Sequence, residues 1–555
     1  MQIKMTDPTS QQPAELSKKA LKKAAKEAEK QAKKAENKNK QAEAEASEVY
    51  VPPVLTTAQF RRLRFGDAPL HMSQPELSSF RKLTEIDKPL THLIGRKIWV
   101  RARIHTVRAT GKSAFLMLRG KMAILQACCF VPGKAENSTE KIDEYKAMIK
   151  YINSLPPESV VEIYGAVSSV DSPIKTASAE HRGYELQLER IYAISRAASQ
   201  MPLQVDDAMR PDSVYQAPDS QYVHPGKDTK LDYRVIDLRT PANQAIMRVR
   251  SAIAHEFRSF LDNAGFIEIN TPKIIAGTSE GGAAVFNVNY FNTKACLAQS
   301  PQLYKQMCIS SGFGRVYEIG PVFRAENSHT HRHLCEFTGL DLEMEIYESY
   351  SEVLTLLGDL MKHIFKTVEA KCAKEISVIR AQYDLTVPEP LVWADETVIV
   401  NFCDGIQMLQ EAGYEASPLD DLNTENERAL GKLIKEKYNT DFYILDKFPL
   451  SARPFYTMPD PQDGRYSNSY DMFVRGEEIC SGAQRVHNPE LLEKQCRERN
   501  VDPESLKSYI DAFKYGCAPH GGAGLGLERI VMLMLGIENC RQTCLFPRTQ
   551  ERLTP

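Results

Sequence analysis

Apolar and polar side chains alternate along residues 337–346. Even positions hold Thr338, Leu340, Leu342, Met344 and Ile346, and odd positions hold Phe337, Gly339, Asp341, Glu343 and Glu345. A period of two predicts a strand with one apolar face and one acidic, aromatic face. The run from Gly314 to Phe323 predicts a second strand, and a polar loop with Arg324, Glu326 and several histidines joins the two. Such a hairpin carries an arginine, a ring and carboxylates on one face. That suits the floor of a site for a ligand with phosphates and a flat base. Alternation recurs in Lys97–His105, where Ile98, Val100, Ala102 and Ile104 form the apolar set and Trp99, Arg101, Arg103 and His105 the other. This pattern predicts a small barrel whose outer face stacks bases and tracks phosphates. A helix is expected around Ala245–Ala264, followed by an edge strand closed by Pro272, which cannot donate a ladder hydrogen bond. Residues 370–460 predict helices decorating a sheet. The fold class expected is α+β.

Composition refines this picture in three ways. A length of 555 residues accommodates two or three domains. The net charge of −2 conceals a lysine-rich stretch from Lys18 to Lys40. Lys19, Lys22, Lys23, Lys26, Lys30, Lys33 and Lys34 share one helix face there. With little to bury, residues 1–50 are expected to be disordered or marginally helical, an electrostatic arm for a polyanion. The cysteines show no C-x-x-C spacing, which favours a reducing compartment over a disulfide framework or a zinc site. No apolar run approaches the ~20 residues that span a bilayer, and no leader is evident, so a cytoplasmic protein without membrane contact is expected. The expected division is 1–50 extension, 51–94 connecting segment, 95–200 barrel, 201–235 hinge and 236–555 the large domain.

Two further stretches carry candidate chemistry. In His520–Gly536 a glycine run precedes Leu527, Glu528, Arg529 and a buried apolar helix. Its spacing fits neither a P-loop nor a dinucleotide-binding turn. In Asp471–Arg485, Glu478 and Ser481 lie three apart with Asp471 upstream, in what is expected to be a loop. Hard oxygen ligands of this kind suit Mg²⁺ shared with nucleotide phosphates.

The sequence Phe323-Arg-Ala-Glu-Asn-Ser328, then Thr330-His-Arg-His333 and Glu336-Phe-Thr-Gly-Leu-Asp341, resembles motif 2 of the class II aminoacyl-tRNA synthetases. Within that class it is similar to the eukaryotic aspartyl-tRNA synthetases. The resemblance spans about residues 50–555 and includes the Phe546-Pro-Arg and Arg552-Leu-Thr-Pro ending. It implies an antiparallel-sheet catalytic domain preceded by an OB-fold anticodon domain. It also implies ATP and Mg²⁺ as cofactors, L-aspartate and tRNA-Asp as substrates, and a homodimer built around the Ala245–Ala264 helix and Gly265–Pro272, which resemble motif 1. A place in a multi-synthetase complex is compatible with it, and the Leu16-Ser-Lys-Lys-Ala-Leu-Lys-Lys stretch resembles a tRNA-binding element of appended tails.

Carried over residue by residue, the resemblance implies a nucleotide site and an amino-acid site. Arg324 would meet the α-phosphate and the amino-acid carboxylate, and Phe337 the adenine. Glu326 would accept from the adenine amino group, and His333 would reach terminal phosphates. Arg332, Leu334, Gly526, Leu527 and Glu528 would complete the ATP site, with Arg529 over the adenine and on the γ-phosphate. Glu478, Ser481 and Asp471 would hold Mg²⁺, and Glu478 would be catalytic with Arg324 and Arg529. Lys305 and Arg485 would take the side-chain carboxylate. Gln302 and Ser279 would take the α-ammonium, with Asp341 and Ser481 beside them and Glu280 on a glycine-hinged lid. Phe115 would stack on an anticodon base, and Gln126 and Glu185 would bond base edges. Rival readings are asparaginyl specificity and a non-catalytic synthetase-like RNA-binding protein.

Overall fold

The computed structural model describes residues 54–56, 59–60, 62–70, 82–133, 137–276, 285–328 and 330–555. The lysine-rich extension lies outside the described residues. The chain divides after Ser199 into two compact units.

The first unit is a closed barrel. Its strands are β1 (Phe65–Asp67), β2 (Lys97–Ala109), β3 (Ser113–Gly120), β4 (Ala123–Phe130), β5 (Val160–Ser169) and β6 (Tyr184–Ser195), with helix α1 (Thr139–Asn153) between β4 and β5. Strands β5, β2, β3, β4 and β6 pair in that order, and β6 returns to β5 to close the ring, while β1 adds in parallel to β6. This is the OB-like order. Ile98, Val100, Ala102 and Ile104 are buried in its core, as the alternation requires. The opposite face of β2 is used within the unit. Trp99 packs on Tyr164 and Tyr192, Arg101 pairs with Glu162, and Arg103 donates to the Glu158 carbonyl. The aromatic and basic set there has protein neighbours, and Arg101 remains exposed.

The second unit is built on an eight-stranded sheet. Helix α2 (Pro241–Asn263) starts at Thr240, whose side chain accepts from the Asn243 amide, with proline at its first turn. Ala245, Ile246, Val249, Ile253, Phe257 and Leu261 recur every three or four residues and form its buried face. Strand β7 (Ile267–Glu268) follows, then a small sheet of β8 (Ile274–Ile275), β9 (Asn287–Tyr290) and β10 (Thr293–Leu297). Helix α3 (Gln302–Ser310), β11 (Arg315–Phe323), β12 (Glu336–Glu345) and helix α4 (Ser351–Lys371) come next. The unit is completed by β13 (Val398–Asn401), β14 (Phe442–Asp446), β15 (Ser469–Val474), β16 (Glu477–Gln484), β17 (His520–Gly526) and helix α5 (Leu527–Leu535). The sheet order is β13-β14-β15-β16-β17-β12-β11-β7, antiparallel except for its two outermost pairs.

Two expectations change here. Asp471–Arg485 is a β-hairpin in the middle of the sheet, not a loop, because its side chains are almost all buried against neighbouring strands. Residues 370–460 supply helices but also the edge strand β13 and its neighbour β14. In the segment expected as a hinge, Arg234 is buried and ion-paired with Asp237 at 2.5 Å. It also donates to the carbonyls of Cys544 and Leu545, which ties the chain end to the sheet unit.

Strand β17 explains its own glycines. A Cβ on Gly522 would lie 2.1 Å from the Leu342 carbonyl oxygen and 2.3 Å from Glu343 Oε2. A Cβ on Gly524 would meet Asp341 Oδ1 at 3.0 Å. The glycines make room for carboxylates of the adjacent strand to lie across β17. Gly522→Ala is expected to destabilise this unit by on the order of 3 kcal/mol. Denaturant unfolding followed by Trp393 fluorescence in a Trp99→Phe background measures it, and a change under about 0.5 kcal/mol would show that the sheet yields.

Candidate active site

Register places one polar row across the sheet. Asp471 faces Ser481, Ser481 faces Gly524, Gly524 faces Asp341 and Asp341 faces Glu318. Above this row opens a cleft of about 350 Å³. The strand alternation read from residues 337–346 holds: Phe337, Gly339 and Asp341 line the cleft while Leu340, Leu342 and Met344 are buried.

At the deep end two cations meet two carboxylates. Lys305 Nζ lies 3.1 Å from Asp341 Oδ1 and 3.4 Å from Glu343 Oε2, and it also donates to the carbonyls of Leu342 and Ala523. Lys305 sits beneath the cleft rather than on its lining. Arg485 does line it. Its Nε donates to Glu343 Oε1 at 3.0 Å and one Nη donates to the Gly522 carbonyl at 2.8 Å. Nη1 has no partner among the described residues. Burial pushes the Asp341 carboxyl up, against the pull of Lys305. Burial acts the same way on Glu343 but is outweighed by Arg485 and Lys305, which hold it below the usual range. Two cations therefore face two carboxylates, of which Glu343 is held below the usual range. Arg485, the one of the two cations on the lining, is the one an incoming anion can reach.

Gln302, at the start of α3, lines the same end and donates to Gln306. Ser279 and Glu280 lie outside the described residues.

Farther along the cleft, the Arg324 guanidinium sits 5.6 Å from the centroid of the Phe337 ring. Glu326, His333 and Leu334 line the wall beside them. Burial and the nearby Arg529 push the His333 imidazole below its usual value, so it is neutral near pH 7. Arg332 also lines the cleft, but its guanidinium pairs with Glu427 at 2.5 Å and donates to Thr424 at 3.1 Å. Opposite, Arg529 donates to the Glu478 carbonyl at 3.1 Å and lies 3.6 Å from its carboxylate. Gly526 and Glu528 reach the lining, whereas Leu527 is buried in α5 away from it. Glu528 is engaged inside the protein: its carboxylate accepts from the Thr338 amide and pairs with Arg250 at 2.9 Å.

Glu478 and Ser481 line the cleft with Asp471. Both Asp471 oxygens are bound by Arg453, at 2.9 and 2.7 Å, and Arg453 also donates to the Ser481 hydroxyl at 3.0 Å. Burial pushes Asp471 up to about 6 even with this arginine beside it. Among the described residues there is no cluster of three His, Cys, Asp or Glu side chains with metal-ligand geometry.

In the barrel unit, Gln126 on β4 donates to Glu185 on β6 at 2.6 Å, and Gln187 donates to the other Glu185 oxygen at 2.8 Å. Phe115 on β3 is 37% exposed with its ring edge-on to Phe130. Exposure of a ring that size leaves a face to stack on.

Residues 226–550 match the family model described as tRNA synthetases class II (D, K and N). The chain is 50% identical to the cytoplasmic aspartate–tRNA ligase of Homo sapiens, over 82% of this chain and 88% of that one. It is 47% identical to the Bos taurus protein of the same name, over 89% of this chain and 95% of that one. The chain belongs to the aspartate–tRNA ligase family of class II tRNA synthetases. Among solved structures it is similar to the aspartyl tRNA synthetase from Entamoeba histolytica, with a TM-score of 0.80, 42% identity and coverage of 91% of this chain and 98% of that one. The asparaginyl-tRNA synthetase from Pyrococcus horikoshii, at 27% identity and a TM-score of 0.71 over 85% of this chain and 99% of that one, shares the fold at greater distance.

Against this family frame, the sequence reading passed over Arg453 and Tyr456, which line the cleft, and the partner role of Glu343. A signal was present. Arg453-Pro-Phe-Tyr456 sets a cation and two rings beside a proline, in a stretch otherwise read as helical decoration. Arg453→Met leaves Asp471 buried and unpaired, which is expected to cost about 3–5 kcal/mol. Adding Asp471→Leu is expected to recover at least half of that in denaturant unfolding, and no recovery would mean that Arg453 stabilises by packing instead.

Proposed function

We propose that this chain activates L-aspartate with ATP and transfers it to the 3′ end of tRNA-Asp in the cytoplasm, as the names of its relatives indicate for those proteins. The observation that carries the amino-acid choice is Arg485. It is a buried cation on the cleft lining, held in orientation by Glu343 and lying over the Tyr456 ring, with no hydrogen-bond partner for Nη1 among the described residues.

In the first step the α-carboxylate of aspartate attacks the α-phosphate of ATP, and pyrophosphate leaves. Two anions must approach, so fixed positive charge has to be in place beforehand. Arg324 supplies it with a planar fork suited to paired oxygens. Phe337 and Arg529 would bracket the adenine, with Glu326 accepting from its amino group and neutral His333 near the terminal phosphates. Leu334 and Gly526 shape the wall there. The side-chain carboxylate would sit on Arg485, with Lys305 beneath, and the α-ammonium between Gln302 and Asp341. An asparagine amide would set a neutral group, with N–H donors of its own, where Arg485 meets a carboxylate, a mismatch of several kcal/mol. In the second step the tRNA terminal hydroxyl takes the aspartyl group from the adenylate.

Mg²⁺ fits as an ion carried by the phosphates. Glu478 and the Ser481 hydroxyl are the protein oxygens available to it, while Asp471 is already bound by Arg453. The ion would neutralise phosphate charge. Phe115, Gln126 and Glu185 support anticodon recognition, and the lysine-rich extension would add phosphate contacts. A homodimer around α2 and β7 completes the reading.

ATP–pyrophosphate exchange with aspartate, and at least about a thousandfold less efficient exchange with asparagine, is the expected result. Arg485→Leu is expected to lower kcat/KM for aspartate at least about a hundredfold. Full aspartate activation by that variant would falsify the pocket assignment. Phe115→Ala is expected to raise KM for tRNA-Asp about tenfold or more while leaving tRNA-free exchange unchanged. An unaltered KM for tRNA would remove this ring from the anticodon contact.

A further inference from the structure

A chain of buried hydrogen bonds runs behind the amino-acid end of the cleft. It begins at the Ala518 carbonyl, which can only accept. His520 Nδ1 lies 2.8 Å from it, so Nδ1 carries the hydrogen. Burial pushes the His520 imidazole below its usual value, and a neutral ring with Nδ1–H has an acceptor at Nε2. Gln306 Nε2, 3.0 Å away, donates to that acceptor. Its amide is thereby oriented, with Oε1 turned to the far side. There Oε1 accepts from the Tyr509 hydroxyl at 2.9 Å and from Gln302 Nε2 at 2.8 Å. Gln302 and Gln306 are four apart on α3, so they share a helix face. With its nitrogen committed inward, Gln302 presents Oε1 as its outward group. That oxygen has no partner among the described residues, and Gln302 lines the cleft.

Reversing the Gln306 amide alone would set two lone pairs against each other at His520 and two donors against each other at Gln302, and reversing Gln302 alone would set two lone pairs against each other at Gln306. A buried mismatch of that kind costs the full desolvation of a polar group. The backbone carbonyl of Ala518 therefore determines which end of the Gln302 amide faces the substrate.

We propose that His520, Gln306 and Tyr509 are positioning residues for the α-ammonium group of the amino acid, acting by holding the Gln302 side-chain oxygen toward the cleft. This rests on the aspartate reading above and adds to it. The relay gives the site preference for a substrate that donates at this point, independent of the Arg485 end that takes the carboxylate.

The test compares aspartate with succinate, which has the same carboxylates and no ammonium group. Exchange by the unsubstituted protein is measured first; if aspartate supports none, the amino-acid reading falls and the relay with it. Given exchange, Gln306→Leu is expected to raise KM for aspartate about tenfold, with kcat within about twofold. Its inhibition constant for succinate is expected to stay unchanged. Equal weakening of both ligands, or no change in either, would overturn the proposal while leaving the aspartate reading intact. Where Gln306→Leu fails to fold, Tyr509→Phe conserves volume and gives the same reading: aspartate weakened relative to succinate supports the relay, and parallel changes overturn it.

Discussion

The second unit depends on placing charge inside a sheet. Lys305, Asp341, Glu343 and Arg485 are all buried, and each is tolerable only because the others are within reach. Desolvating any one of them alone would cost several kcal/mol, so the four stand or fall together. Strand β17 makes the arrangement possible. Its glycines let the Asp341 and Glu343 side chains lie across it, where a methyl group would collide with the Glu343 carboxylate or the neighbouring backbone. Composition of one strand and chemistry of the next are thus a single constraint.

From that array the rest of the cleft follows in order. The same strand β12 that carries Asp341 and Glu343 has Phe337 at its start, and the loop before it carries Arg324 and His333. The strand β16 that leads to Arg485 carries Glu478 and Ser481. Strand β17 runs directly into α5, where Glu528 fixes Thr338 and Arg250 while Arg529 leans over Glu478. Amino-acid and nucleotide ends are therefore positioned by the same strands, so their spacing is set by strand rise rather than by mobile connections.

Oriented partners complete what that array begins. Arg453 answers Asp471 in a second ion pair, and the Gln302–Gln306–His520 chain orients an amide without any net charge. Such side chains decide orientation more than strength, and they are hard to recognise singly because each is an ordinary polar residue. Only their sequence of donors and acceptors gives them a direction.

Much of this was legible in the chain itself. Period-two alternation over residues 337–346 determined which side chains share the cleft face, because a strand has only two faces. The apolar run after Arg529 marked a buried helix, which α5 is, and the motif residues around Arg324, Arg485 and Arg529 carried the family resemblance. What the chain could not show was pairing between distant segments. Residues 471–485 looked like a loop because an arrangement of carboxylates, glycines and a serine has no strand period of its own. They become a hairpin only between β14 and β17. Trp99 read as a ring on an open strand face, and only the fold sets Tyr164 and Tyr192 beside it. Arg453 looked like decoration until Asp471 stood opposite. Local pattern determines which faces exist; which charge meets which is decided only when strands far apart in the chain are brought side by side, since a Coulomb or hydrogen-bond partner is a matter of distance in space and not of spacing in sequence.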